Sequence, residues 1–490
     1  MANKPPNLRT KIYSIYAPSR GLVLNTPSTY LDPRATPDCK NVRFHDQIVE
    51  KRTGYPSTAY AAGTITGVPI RLYTYSNAGV DYEIMATTSN MLKRTTGDWA
   101  SFKDTLSNTV TSRVTMCTMF KTDKFWLCYG SKETPARRYD GTTDEVITGA
   151  EDYSPKIMLP YQFRLLMFNY DNDGTDMPIG WRYSASLDME DWSGTGSGAR
   201  NLIQGDGSEI MNAVAIKDYV GVYKDKSITV LDYVGGSSIF STSVHIEKVG
   251  LLAQDAIVSL GTSHLFLGSD YNIYEWNGGW ELVPIGNSVK KYIKDNIYKT
   301  NKSRCFAVAN FERTEAHFFI PIGTDDYPTR FLTYNWTDKS WALNTVASCS
   351  GGGNIDNTGV EKTIIGLSAG TVHNYDYSST NDGSTAIDSY FTTPDTVVDK
   401  EEYKIKRKDF TNVYIDAKGN TLGMYYSLNE GSTWSIVDTD TLDSTSIYNL
   451  HMYSFTEAAR NIRFKFANST ASESYSVRFV GIENKDRERK

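Results

Sequence analysis

The chain has 490 residues and a net charge of −6, from 51 Lys+Arg against 57 Asp+Glu, which argues against a generally basic surface for coating nucleic acid. Hydrophobic residues make up 40% of it, enough for a sizeable core, yet no run approaches the ~18 apolar residues of a membrane span. The five cysteines are scattered, with no CxxC or Cys/His cluster. That supports neither a zinc site nor a disulfide framework, and synthesis in a reducing cytoplasm is the simplest expectation.

The first residues, MANKPPNLRT, are polar and lack the apolar stretch of a signal peptide. Residues 1–40 read as a proline-rich N-terminal arm. The next segment, CKNVRFHDQIVEKRTGYPS, predicts two short strands, NVRF and IVEKR, around a turn at His45-Asp46. From residue 65 onward a plan with a period of about 45 residues repeats. Each copy holds four β-branched or aromatic runs between turns rich in Gly, Asn, Asp and Ser. The copies begin at VPIRLYTY, VTMCTMF, IMLPYQF, IMNAVAI, AIVSL and SRCFAVA. The third copy is expected to carry a long loop at residues 171–178.

The fifth copy, residues 256–286, compares with the sixth: NIYEWNGGWEL sets beside LTYNWTDKSWAL. That alignment places Trp276 with Trp336 and Trp280 with Trp341, all as packing residues. GNSVKKYIKDNIYKT (286–300) predicts one helix, because Val289, Tyr292, Ile293 and Ile297 share a face. Residues 360–377 combined with the N-terminal strands at 41–52 would form a closing blade, leaving no free edge at the seam. After residue 380 a linker, TNDGSTAIDS, leads into alternating strands and a charged tail. The expected architecture is all-β. A β-propeller of about seven four-stranded blades spans 41–380, and a C-terminal β-sandwich spans 381–490.

Few residue groups suggest chemistry. SLNEGSTW (427–434) looks like an Asp-box hairpin turn with Asn429 in place of Asp, and SLDMEDW (186–192) is a looser cousin. Such boxes brace turns. DNDGTD brings Asp171, Asp173 and Asp176 around Gly174 and offers either a calcium site or a solvated turn; the later Glu of an EF-hand is missing. Glu401-Glu402 and KIKRK (404–408) form a charge run, either a solvated strand face or a contact for DNA or an acidic partner. The six histidines are isolated, and no GxSxG, HExxH, Walker A or GxGxxG frame occurs. No catalytic residue, cofactor site or metal site beyond that calcium candidate is expected. A binding propeller for glycans or a host receptor is the alternative class. A sialidase-like glycoside hydrolase comes third, since its arginine cluster and tyrosine nucleophile have no visible place here.

Three stretches carry a resemblance: NVRFHDQIVEKRTGYP, then IQGDGSEIMNAVAIKDYVGVYKDKSITVLDYVGG (203–236), then HIEKVGLLAQDAIVSLGTSHLFLGSDYNIYEWNG. Their turns and apolar positions resemble the β-propeller virion proteins of tailed bacteriophages, the tail nozzle and the packaged-DNA-stabilisation hub of short-tailed phages. The resemblance spans residues 36–345. It implies a homo-oligomeric ring, usually of six copies, below a portal and adaptor and docking tail fibres or tailspikes. The ring would extend the DNA channel, help retain packaged DNA and allow its ejection. Double-stranded DNA would pass through without specific binding, an acidic lumen offering phosphates few cations. The implied location is the virion tail, after assembly in the host cytoplasm.

Overall fold

The computed structural model describes residues 11–357, 359–375, 378–395 and 407–486. Strands dominate. Among the described residues, six four-stranded antiparallel meanders follow one another, at 69–103, 115–146, 153–201, 210–247, 257–284 and 306–345. A three-stranded meander at 349–374 comes next. Each places its first strand innermost and runs outward. One such sheet cannot bury both faces, so consecutive sheets pack face to face.

The interfaces are separate apolar clusters. Tyr75 and Ile84 of the first meander meet Leu127 and Tyr129 of the second. Trp126 of the second meets Met167 of the third, and Phe168 and Trp181 of the third meet Val220 and Val222 of the fourth. Tyr223, Phe266, Trp276 and Phe318 carry the core on through the fourth, fifth and sixth. Phe319 and Phe331 of the sixth pack with Ile365, and Ile355 and Ile364 of the last return to Leu72 and Met85 of the first. The ring is therefore closed, and the chain is a β-propeller.

The seam depends on small residues. Cys349–Asn357 runs beside Pro69–Asn77, and Gly352 pairs in parallel with Arg71. A Cβ on Gly351 would sit 1.9 Å from the Ile70 carbonyl oxygen. Gly351 and Gly353, where a Cβ would meet Ile70 O and Leu72 O, let two innermost backbones approach where a side chain would push them apart.

The N-terminal strands do not close this ring, contrary to the expectation for residues 41–52. Ile48–Lys51 pairs with Tyr475–Asp486, through Val49↔Val477 and Glu50↔Ser476, and Val42–His45 extends that sheet. Lys11–Tyr16 also pairs with Tyr475–Asp486, and Cys39–Lys40 pairs with Ser389–Thr392. These N-terminal strands thus complete the sandwich, whose two sheets hold six and five strands. Val42, Phe44 and Val49 join Val413, Val480 and Phe466 in its interior. The last meander instead borders residues 55–60, where the Tyr60 N–H donates to Val372 O at 2.8 Å and Pro56 O lies 3.1 Å from His373 Nδ1. Strand propensity places a residue on a face but does not name its neighbour.

Two local expectations also change. The helix is shorter than 286–300: Lys290–Asn296 is α-helical, Ile297 is extended, and Lys299–Arg304 is a 3₁₀ segment. Val289, Ile293 and Ile297 are buried as the spacing required. The loop at 171–178 is absent. Arg164–Asn172 and Thr175–Tyr183 pair up to Asn172↔Thr175, and the turn is Asp173-Gly174, both at positive φ.

Candidate functional site in the central channel

The innermost strands surround a cavity of about 460 Å³ on the ring axis. Arg71, Arg113, Asn212, Asp255, Phe306 and Gly352 line it, and they come from different meanders or their entry loops. One guanidinium organises it. Arg113 is fully buried; its Nε donates to the Asp255 carboxylate, Nη2 to Ile70 O and Nη1 to Ser350 O at 3.2 Å. The Phe306 ring centroid lies 5.6 Å from its Cζ. A single side chain thus ties the first and last meanders across the seam to the entry of the fifth.

Asp255 Oδ1 is buried without a hydrogen-bond partner, and Arg71 Nη1 stands 3.7 Å away. Burial by itself would raise this carboxyl. The Arg113 and Arg71 guanidinium groups outweigh burial and hold it below the ordinary carboxylate range. Asn212 donates to Gln254 O at 2.6 Å, and Gln254 Nε2 donates to Lys156 O at 2.9 Å. These are bonds that hold strands in register. A charge pair with a fixed geometry stabilises such a junction but presents neither a nucleophile nor a free general base.

A second polar module lies between the third and fourth meanders. Gly205-Asp206-Gly207 and Lys224-Asp225-Lys226-Ser227 interlock. Buried Lys224 donates to Gly205 O at 3.1 Å, Ser227 Oγ donates to Asp206 O, and Asp225 Oδ1 accepts the Ser208 N–H at 2.7 Å. Gly207 has φ +111 and a Cβ there would lie 2.3 Å from Asp225 Oδ1. Two motifs that the sequence displays separately therefore form one turn assembly.

The structure sets Asp171 opposite Asp176 across the hairpin but gives each its own partner. Asp171 Oδ1 accepts the Gly174 N–H at 2.7 Å, Asp176 pairs with Lys132, and Asp173 lies exposed in the turn. Among the described residues, no three His, Cys, Asp or Glu side chains gather in a metal-binding group. Ser427 and Asn429 brace their hairpin as an Asp box would: Gly431 N–H donates to Ser427 Oγ and Thr433 N–H to Asn429 Oδ1, each at 2.9 Å. Of the charge run, Glu401–Lys406 lies outside the described residues, and Lys408 is buried in a strand.

The tryptophan alignment is off by one residue at Trp276 and Trp336, and by three at Trp280 and Trp341, since Val283 pairs with Glu275 as Trp341 does with Tyr334. Trp276 faces His264, the first residue of its neighbour strand; in the sixth meander that place belongs to Asn335, opposite Glu315. A slip of one residue reverses the face. Trp276 is buried, whereas Trp280 is 67% exposed and stacks on His245 at 3.9 Å. Trp341 is buried, and Trp336 is only partly so.

No protein-family model matches the chain, and no curated protein matches it. Solved structures that resemble it include BBS1N in complex with ARL6DN, 9% identical, covering 66% of this chain and 96% of that one at a TM-score of 0.41. The WD40 β-propeller domain of Doa1 is 10% identical, covering 64% and 95% at 0.36. An exo-β-1,3-galactanase from Phanerochaete chrysosporium is 11% identical, covering 88% and 100% at 0.27. Likeness at this level gives the chain no activity. Among the described residues no helix is long and apolar enough to cross a membrane.

Proposed function

We propose that this chain is a non-enzymatic structural protein of a tailed-phage virion, a seven-bladed propeller with a fused sandwich. Six copies would form the nozzle or hub ring below the portal and adaptor. In that role it extends the DNA channel and carries fibres or tailspikes. The observation that carries the proposal is the interlocked module of Gly205–Gly207 and Lys224–Ser227. These are the residues on which the resemblance to that family rests most heavily, and they act together. A propeller whose seam is tied by Arg113 suits a rigid wedge whose work is done on its outside. DNA would then run along the axis of the ring of copies, past each subunit's flank.

Electron microscopy of the purified chain, with mass spectrometry of phage particles, tests this. Rings of six and presence in the tail are expected; a monomer absent from particles would end the proposal. Trp280 favours a second reading. An exposed indole held flat by His245 is the platform on which a sugar ring stacks, and a glycan array read with the parent chain and Trp280→Ala decides it.

A further inference from the structure

The tips of the second, third and fourth meanders expose apolar side chains that the fold does not require. Phe120 and Phe125 flank the turn after Thr115–Lys121, with ring centroids 5.2 Å apart. Phe163 is 68% and Leu187 57% exposed. They are neighbours, since the Leu187 N–H donates to Phe163 O at 2.7 Å. Lys121 Nζ reaches Asp188 at 2.6 Å, which joins the first pair to the second. Tyr233 and Val234 extend the exposed apolar surface to the fourth meander, where the Arg164 guanidinium lies 6.0 Å from the Tyr233 ring. Patches of this kind on a soluble chain mark contact surfaces.

The backbone supports the same point. Phe163 has φ +58 and Leu187 φ +62, both in the left-handed region that bulky side chains avoid. Gly or Asn would relieve that strain and remove the apolar exposure together. Two strained turns that each present an apolar side chain to solvent are costs without a return inside the fold.

The cations around the patch are engaged: buried Arg164 donates to Gln162 O at 3.2 Å and to Gly196 O at 3.3 Å. Lys121 is held by Asp188 and Glu190, and Lys124 by Asp140 at 2.7 Å. Lys217 turns away to Asn277 O at 2.8 Å. Asp123, Asp218 and Asp232 are exposed. Asp218 and Asp232 sit at Tyr161, whose hydroxyl donates to Asp218 O.

We infer that this patch is a docking surface for a cationic amphipathic protein segment. Its apolar side chains would pack on Phe163, Leu187 and the Phe120–Phe125 pair. Its lysines or arginines would face Asp123, Asp218 and Asp232. Aromatic anchors rimmed by carboxylates provide the affinity and the selectivity for charge that such a contact needs.

Fluorescence anisotropy of the full chain with two labelled peptides of equal apolar spacing tests it, one built of Leu and Lys and the other of Leu and Glu. The Leu/Lys peptide is expected to bind at least tenfold more tightly. Phe163→Ser with Leu187→Ser should weaken it tenfold or more, with an unchanged melting temperature because both sites are exposed. Asp218→Asn with Asp232→Asn should weaken it several-fold while leaving Phe163 and Leu187 in place. Equal binding of the two peptides, or parent-like binding by the Ser variant, overturns the inference. Sedimentation that shows a self-associated chain dissolved by the Ser substitutions also overturns it, assigning the patch to a second copy.

Discussion

The ring and the sandwich are both all-β, but they are assembled in opposite ways. Within the ring's meanders each strand pairs with the strand just before or after it, across a short turn, apart from the seam and from Ser340–Thr345, which also pairs with Gly21–Leu22. In the sandwich, Tyr475–Asp486 pairs with Lys11–Tyr16 and with Ile48–Lys51, strands more than four hundred positions away. Local pairing makes a ring of repeated units that leaves one seam to close. Distant pairing makes a unit that cannot form until both ends of the chain are present. The ring therefore concentrates its risk at 349–357, and the sandwich spreads its risk over the whole N-terminal arm.

Deleting residues 1–52 is the strongest test of that contrast. It removes four strands from the sandwich and, from the sheet of the sixth meander, the short strands Gly21–Leu22 and Ala35–Thr36; with Arg52 go its ion pair to Asp382 and its bond to Thr345 O at 2.6 Å. The loss should exceed the roughly 5 kcal/mol that a marginally stable unit can spare. Limited proteolysis should then cut within 407–486 while fragments of the ring meanders survive. Protection of both regions would dissolve the contrast. Next in size is Gly351→Ala at the seam, which drives a Cβ into the Ile70 carbonyl. A cost of about 3 kcal/mol is expected in urea unfolding, the upper end for overpacking. Gly423→Ala, in the sandwich, meets nothing closer than 3.2 Å and should cost about 1 kcal/mol or less.

The same contrast explains what could be foreseen. Turn residues and alternation repeat along 65–345, so the meanders are legible one by one. The residues 42–51 are equally legible as strands, but nothing in Val42, Phe44 and Val49 says that their partner is Val477 and not a propeller edge. The glycine run 351–353 was the available signal for the seam, since three glycines in a strand mark a close backbone approach. Trp276 and Trp280 show the limit of motif matching, because spacing alone cannot detect a slip of register. The Arg113–Asp255 tie lay beyond reach for a simpler reason: its partners are distributed over the first, fifth and last meanders.

Within the ring, His264 offers a pH test. Burial pushes its imidazole down to about 4, and it is held neutral with Tyr223 Oη 2.7 Å from Nδ1 and Ala215 O 3.0 Å from Nε2. Its folded value lies below the ordinary 6.5, so the unfolded chain takes up the proton first as the pH falls. The contribution is complete above about pH 6.5 and is lost on descent to about pH 4. The whole change amounts to roughly 3 kcal/mol. Denaturant titrations should show a shallower slope against pH in that window for His264→Phe. An unchanged slope would mean that the fourth and fifth meanders share no such buried imidazole.

The smallest effect lies in the sandwich, at the one place where it behaves like the ring. The turn 427–434 is local, and its bracing comes from within. Asn429 Oδ1 accepts the Thr433 N–H and its Nδ2 donates to Thr433 Oγ1, both at 2.9 Å. Removing these with Asn429→Ala should cost about 1 kcal/mol, the worth of a partly exposed hydrogen-bonded turn. Asn429→Asp retains the acceptor, and the Thr433 hydroxyl can rotate to donate to it, so that variant should stay within about 0.5 kcal/mol of the parent. Thermal unfolding of both variants measures the difference. If Ala and Asp cost the same, the acceptor on Asn429 does not brace the hairpin, and the turn is held by the long-range pairing of Thr421–Ser427 with Arg463–Asn468 instead.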